Sequence, residues 1–311
     1  MNNRASLTSL LSAFGRTYHA ENADSPVFAD PLARQLFTDE EYGQIGSYLL
    51  SGMEFLAPER IGTFQDNREA LTYLVNTQIA PTPLSRARYC EDCMKTALRT
   101  GTTQFVLLGA GLDTAAYRFP SAVSGYRIFE ADHPATQADK RRRIRRAGIT
   151  EPEQVRFVPV DFAKDDFGKR LRISRLRPKE KTFFSLPGVS YYLSELQFGQ
   201  LLDRIAELSR AGNTLVFDFA DPGVFSSPVG RMQRMIAMAK SSGEPMYDCF
   251  GGEPAEEVLA RHGFLVYEHL SPDDIQSRYF SGRQDGISAF EQIHLMTAVY
   301  RGTSSTSSAA R

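Results

Sequence analysis

The sequence predicts an α/β fold in which an N-terminal helical region precedes a mostly parallel sheet. From Gly101 onward, short apolar runs alternate with stretches of helical periodicity, the pattern of repeated βαβ units. Those runs stop at Gly, Asp or Pro, residues that end strands. Residues 1–100 read as helical instead, with Leu7, Leu10, Leu11 and Phe14 at helical spacing.

In the first 100 residues, Asp30-Pro31 and Pro58 act as breakers, Pro81-Thr82-Pro83 marks a turn, and Ser85–Arg99 reads as a helix. Gln104–Leu108 follows as a buried strand ending at Gly109. Further strands are expected at Tyr126–Ala131, Val155–Val158, Thr182–Leu186 and Thr214–Phe219, with helices such as Glu195–Leu208 between them. Right-handed crossovers put the loops after these strands along one edge, where ligands of such sheets bind. Phe264–His269 and Ile293–Tyr300 read as two late strands forming an antiparallel edge, with a short helix and a loop between them. Residues 222–262 make a long connection with helices at Val229–Lys240 and Pro254–His262, a length that suits a lid or substrate cap. The expected organisation is a helical cap (1–100), a sheet domain (101–302) with the insertion 222–262, and a disordered polar tail (303–311).

The chain is 42% hydrophobic and 23% charged, ordinary for a soluble globular protein with a proper core. A net charge of -1 provides no global field toward nucleic acid or an anionic membrane, and neither is an expected partner. The basic run Lys140–Arg143 with Arg145 and Arg146 reads as a solvated helix face. Cys90, Cys93 and Cys249 make an odd count without a secretory leader, which points to the cytoplasm. Cys90 and Cys93 read as neighbours one helical turn apart, since a zinc site needs about four ligands and no second pair exists; no metal is expected. No apolar run is long enough to span a bilayer.

The chemistry concentrates at three strand ends. In Val106-Leu-Leu-Gly109-Ala110-Gly111-Leu112-Asp113-Thr114 a strand enters a Gly-x-Gly turn and then a helix, so backbone can approach a ligand without a Cβ clash. A dinucleotide site wants a third glycine where Thr114 stands, and Asp113 puts negative charge where a pyrophosphate would lie. A sulfonium cofactor has no phosphate, and its ammonium welcomes an acid, so the turn favours S-adenosyl-L-methionine over NAD. In Phe129-Glu130-Ala131-Asp132-His133-Pro134, an acid can accept hydrogen bonds from both ribose hydroxyls. Asp132 lies 23 residues past Gly109 and Glu130 lies 21 past, so spacing does not choose between them. Asp132 also suits a helix N-cap. In Val158-Pro-Val-Asp161-Phe162, Asp161 can accept from an adenine amine while Phe162 packs on the ring.

These stretches, with GVSYYL and LVFDFADP, resemble the leucine carboxyl methyltransferase family. The likeness is greatest to its bacterial branch, which includes polyketide carboxyl O-methyltransferases. It runs from PVFADPLARQLF to LARHGFLVYEHLSPDDIQSRYF, and GAGLDT followed by DHP is specific to the family. The resemblance implies a class I methyltransferase fold: a Rossmann-like seven-stranded sheet with the last strand antiparallel, and added N-terminal helices. It implies that Gly109 and Gly111 border the aminoacyl end of the cofactor, that Asp132 holds the ribose, and that Asp161 and Phe162 flank the adenine. It also implies an arginine before the first strand that pairs with the cofactor carboxylate, Arg86 or Arg88, with the spacing favouring Arg86. One departure stands out. The family carries Glu before the Gly-Val of the fourth strand, where this chain has Pro187, and Asp113 is a candidate to compensate.

Methyl transfer is an in-line displacement in which the enzyme positions the acceptor and excludes water. Tyr191, Tyr192 and His133 are the candidates to position a small-molecule acceptor, with Tyr18 and His19 as further pocket residues. No strong His–acid pair stands out, which favours an acceptor oxygen that ionises by itself, such as a carboxylate. Transfer to carbon or nitrogen, and a non-catalytic cofactor-binding module, are the alternatives; the intact cofactor acids count against the last.

Overall fold

The computed structural model describes residues 6–118, 125–162, 164–225 and 230–302. Seven strands form one sheet: β1 (Gln104–Leu108), β2 (Arg127–Asp132), β3 (Val155–Pro159), β4 (Thr182–Leu186), β5 (Thr214–Ala220), β6 (Phe264–Leu270) and β7 (Ile293–Tyr300). Their order is β3-β2-β1-β4-β5-β7-β6. β1 to β5 pair in parallel, and β7 runs antiparallel to both β5 and β6. The last two strands swap, so the antiparallel one lies inside and β6 takes the edge. The strand order reverses between β1 and β4, and crevices of such sheets open at that point.

The helices named below are α1 (Leu7–Asn22), α2 (Asp39–Ser51), α3 (Asn67–Leu74), α4 (Pro81–Arg99), α5 (Pro134–Arg146), α6 (Phe167–Ile173), α7 (Glu195–Leu208), α8 (Arg231–Ser241) and α9 (Ala255–Arg261). Side-chain caps begin several of them. Ser6 caps α1, and full capping boxes, Thr38 with Glu41 and Ser194 with Gln197, open α2 and α7. The Pro-Thr-Pro segment expected to be a turn is instead the first turn of α4. Proline is harmless there, because the first helical N–H groups have no intrahelical acceptor and its fixed φ is already helical.

Apolar side chains alternate along the strands and build a core on each face of the sheet. Phe105, Ile128 and Phe183 join Leu11, Phe14, Leu74 and Leu84 of the N-terminal helices in one cluster. Val106, Phe184 and Phe217 join Phe198 and Leu202 of α7 in the other. The N-terminal helices therefore complete one face of the sheet, which brings α1 over the strand ends.

The basic run of α5 is a solvated face only in part: Arg142, Arg145 and Arg146 are exposed, whereas Lys140 and Arg143 are buried. Lys140 is buried and lies 2.8 Å from Glu130. Arg143 is buried between Asp139 (2.8 Å), Glu41 (3.0 Å) and the Leu36 carbonyl (3.0 Å). Arg146 reaches the same Glu41, and Arg141 pairs with Glu151. Asp139 is a neighbour on the same helix, but Glu41 lies 102 residues from Arg143, so periodicity could not show that pairing. Cys90 and Cys93 lie one turn apart on α4, with Cys93 Sγ 3.6 Å from Thr297 Oγ1. The expected tail, 303–311, lies outside the described residues, as does the first residue of the expected helix Val229–Lys240. Among the described residues no helix is long and apolar enough to cross a membrane.

Candidate active site

β1 delivers the chain into a turn with Gly109 at φ +69° and Gly111 at φ +44°, a backbone that side-chain-bearing residues rarely adopt. A Cβ at Gly109 would meet Val189 at 2.3 Å, and one at Gly111 would meet Ser9 Oγ at 2.6 Å. The amides of the turn are already engaged. Gly111 N–H donates to Asp132 Oδ2 (2.5 Å), Leu112 N–H to Ser9 Oγ (3.1 Å) and Asp113 N–H to the Ala110 carbonyl (2.8 Å). The Asp113 carboxylate accepts from Ala115 N–H at 2.7 Å. A phosphate would find these donors taken and carboxylates beside them. Thr114 faces inward, donating to Asp30 (2.5 Å) and accepting from Arg118 (2.8 Å).

The acids of β2 have different surroundings. Glu130 is buried against Lys140 of α5, and burial first raises its carboxyl, with the Lys140 charge opposing. Asp132 ends the strand and accepts from Gly111 N–H and, at 2.6 Å, from His133 N–H. Burial raises its carboxyl too, and those two amides pull it back. Past β3, Asp161 lies 3.0 Å from Lys164 Nζ and 4.0 Å from His133 Nε2. Phe162 stands edge-on to Phe167, with ring centroids 5.9 Å apart.

On the other side of β1, Arg86 of α4 reaches inward. It lies 3.4 Å from Asp218 Oδ2 and donates to Ser12 Oγ at 2.9 Å. Asp218, near the end of β5, also accepts from Gly188 N–H (2.6 Å) and Tyr191 Oη (2.9 Å). Burial, then the Asp218 charge, pushes the Tyr191 phenol well above its ordinary range. Burial likewise pushes Tyr192 up to about 12, with Glu244 adding to the rise and a Thr8 hydrogen bond opposing it. Thr8 Oγ1 donates to Glu244 at 2.7 Å, and Tyr247 N–H donates to the Tyr191 carbonyl at 2.6 Å. The polar side of α1 and the 222–262 connection thus both border the Tyr191–Tyr192 turn.

The family model described as leucine carboxyl methyltransferase matches residues 9–206 of this chain. YktD of Bacillus subtilis, which carries the provisional name of an S-adenosyl-L-methionine-dependent methyltransferase, is 40% identical over 300 residues, 96% of this chain and 98% of that protein. The chain belongs to the leucine carboxyl methyltransferase family. A Mycolicibacterium vanbaalenii relative with the same kind of provisional name is 28% identical over 76% of this chain and 73% of its own length. A Thermobifida fusca crystal structure, provisionally named a methyltransferase, superposes with a TM-score of 0.54 at 14% identity, covering 96% of each chain. That likeness speaks for the fold, which is the class I methyltransferase fold with its penultimate position taken by the antiparallel strand. By family and fold the chain is a methyltransferase.

Against that family pattern, Arg86, Gly109, Gly111, Asp113, Asp132, Asp161 and Phe162 all lie at the carboxyl ends of β1 to β4 or border them. Arg88 turns away to Asp92 at 2.8 Å. The acceptor candidates do not come together. His133 caps α5, its Nδ1 accepting from Ala135 N–H at 3.3 Å, and its Nε2 faces Asp161, so it belongs to the β2–β3 half. Tyr191 and Tyr192 belong to the β4–β5 half. Tyr18 and His19 are not pocket residues: Tyr18 Oη bonds Thr72 (3.0 Å) and His19 Nε2 accepts from Val27 N–H (3.2 Å) inside the cap. His–acid pairs do exist in the fold, His294 with Asp221 (3.0 Å) and His262 with Asp203 (2.6 Å), joined across strands and helices far apart in sequence. Ser9 and Ser12 carried no sequence signal of their own, and Asp218 was not singled out from the LVFDFADP stretch. Asp218, a charge inside the apolar run Thr214–Ala220, was the most visible of them.

Proposed function

We propose that this methyltransferase moves the methyl group of S-adenosyl-L-methionine to an oxygen of a small molecule, a carboxylate first and a hydroxyl second, in cytoplasmic secondary metabolism of the polyketide kind. One observation carries the donor assignment: Asp132 is held at the end of β2 by the Gly111 and His133 amides, so the glycine turn presents an acid and no free phosphate cradle. That donor set fits a cofactor with ribose hydroxyls, an ammonium and no phosphate. Bound there, S-adenosyl-L-methionine supplies a methyl group activated by its sulfonium.

The chain's own residues do the rest. Asp132 accepts from the ribose hydroxyls, and its two amide bonds fix the carboxylate for them. Asp161 accepts from the adenine amine beside Phe162, with His133 4.0 Å from its carboxylate. Gly109 and Gly111 let the turn close against Val189 and Ser9 beside the aminoacyl end, Arg86 takes its carboxylate, and Asp113 stiffens the turn through Ala115 N–H. Tyr191 and Tyr192 stay neutral at physiological pH and act as hydrogen-bonding walls rather than bases. α1 and the 222–262 connection cover them and keep water out. An acceptor carboxylate is already ionised at pH 7 and needs no base, in keeping with the family.

The test is a methyl-transfer assay that follows release of S-adenosylhomocysteine with matched aromatic acids and phenols. Faster turnover of the acids, flat from pH 6 to 9, is expected. A preference for phenols that grows with pH would overturn the carboxylate reading, and transfer only to amines would overturn oxygen as the acceptor.

A further inference from the structure

β5 reads Thr-Leu-Val-Phe-Asp-Phe-Ala, and Asp218 is its one charged residue, 1% exposed. A carboxylate in a buried apolar strand is costly unless several donors serve it, and departures of this kind from apolar patterning tend to mark functional sites. Asp218 receives Gly188 N–H, Tyr191 Oη and the Arg86 guanidinium, the last at a long 3.4 Å. A carboxylate offers about four lone-pair sites, so one remains. The same cluster explains Gly188. Its φ is +73°, and a Cβ there would lie 2.5 to 2.8 Å from the Arg86 guanidinium, so the backbone after β4 is cut back to let Arg86 in. Val189, the next residue, packs on Gly109 of the glycine turn. A buried acid and a half-buried base thus stand side by side next to that turn, with Ser12 Oγ on the base. Paired opposite charges of this kind complement a zwitterion. Pro187, just before Gly188, offers neither an acid nor an N–H.

Resting on the donor reading above, we propose that Asp218 is the acid that binds the α-ammonium of S-adenosyl-L-methionine, paired with Arg86 on its α-carboxylate. Together they seat the amino-acid end of the donor on β5 and α4.

Calorimetric titration of the full chain with S-adenosylhomocysteine and with its deaminated counterpart tests this. The wild type should favour the amine-bearing compound at least tenfold. Asp218→Asn should erase that preference, dropping S-adenosylhomocysteine to the level of the deaminated compound while leaving the latter within threefold. A purely structural role would weaken both equally. Asp218→Glu keeps the charge, so it serves if the Asn variant does not fold, and should reduce the preference at least threefold. The proposal is overturned if the wild type binds both compounds equally, if either folded Asp218 variant keeps the full preference, or if Asp113→Asn erases it while Asp218→Asn does not. Failure of the wild type to bind either compound would instead overturn the donor reading beneath it.

Discussion

Lys140→Met should make the stability of this chain depend on pH more strongly than that of the wild type. The Lys140 ammonium lies 2.8 Å from Glu130, with side-chain exposures of 2% and 1%. Burial raises the Glu130 carboxyl, and the Lys140 charge is the first influence opposing it. Without the ammonium, ionised Glu130 is a buried charge with no partner, and breaking a buried pair in this way costs about 3–5 kcal/mol. Methionine keeps most of the lysine stem, so lost packing adds little. The penalty falls only on the ionised form. A carboxyl raised in the folded state holds its proton more tightly folded than unfolded, so its contribution is fully present below the ordinary value of 4.5 and is lost as pH rises through the raised value. The gap between wild type and variant should therefore be small at acid pH, widen by about 1.4 kcal/mol per pH unit, and level off at ~3–5 kcal/mol. Urea unfolding followed by circular dichroism at a series of pH values measures it. Glu130→Gln with Lys140→Met should recover most of the loss, because no buried charge remains. A penalty that does not change with pH, or a double variant no better than the single, would refute the reasoning.

Three further outcomes follow from the same geometry. Gly111→Ala must hold alanine at φ +44° with its Cβ 2.6 Å from Ser9 Oγ; it should lose about 1–2 kcal/mol of stability and at least tenfold in S-adenosylhomocysteine affinity by calorimetry. Arg143→Ala strips partners from Asp139, Glu41 and the Leu36 carbonyl; urea unfolding should show a loss of about 2–4 kcal/mol with donor affinity unchanged. Tyr192 is pushed up to about 12, so it is neutral through pH 9 and adds no inflection to the kcat profile there; Tyr192→Phe should lower kcat by roughly five- to tenfold, the worth of about one hydrogen bond, without moving the donor Kd.

β1 to β5 were legible because each is a short apolar run closed by Gly, Asp or Pro, and β1, β4 and β7 fall on their expected residues. The three motif acids were legible for a related reason: parallel topology places successive strand ends on one edge, so order along the chain becomes proximity in space. Sequence misjudged features whose meaning depends on a distant partner. The prolines at 81 and 83 break a helix only if they fall inside one, and here they begin it. Lys140 and Arg143 look like part of a solvated stripe until Glu130, Glu41 and the Leu36 carbonyl are folded against them. Glu130 and Asp132 share one face of β2 and lie 21 and 23 residues past Gly109, and what distinguishes them is the helix packed over Glu130 and the Gly111 amide turned onto Asp132. His133 sits beside a motif acid in sequence, yet its ring serves α5 and Asp161. Asp218 depends on residues 132 and 27 positions away, Arg86 and Tyr191, which no local pattern connects.

Asp132, fixed by the Gly111 amide, is proposed to hold the ribose of S-adenosyl-L-methionine. Calorimetric titration of the wild type and Asp132→Ala with S-adenosyl-L-methionine, S-adenosylhomocysteine and NAD tests it most directly. The wild type should bind the first two and not NAD, and the variant, still folded by circular dichroism, should lose both. Binding of NAD, or a folded variant that binds S-adenosylhomocysteine as tightly as the wild type, would contradict it.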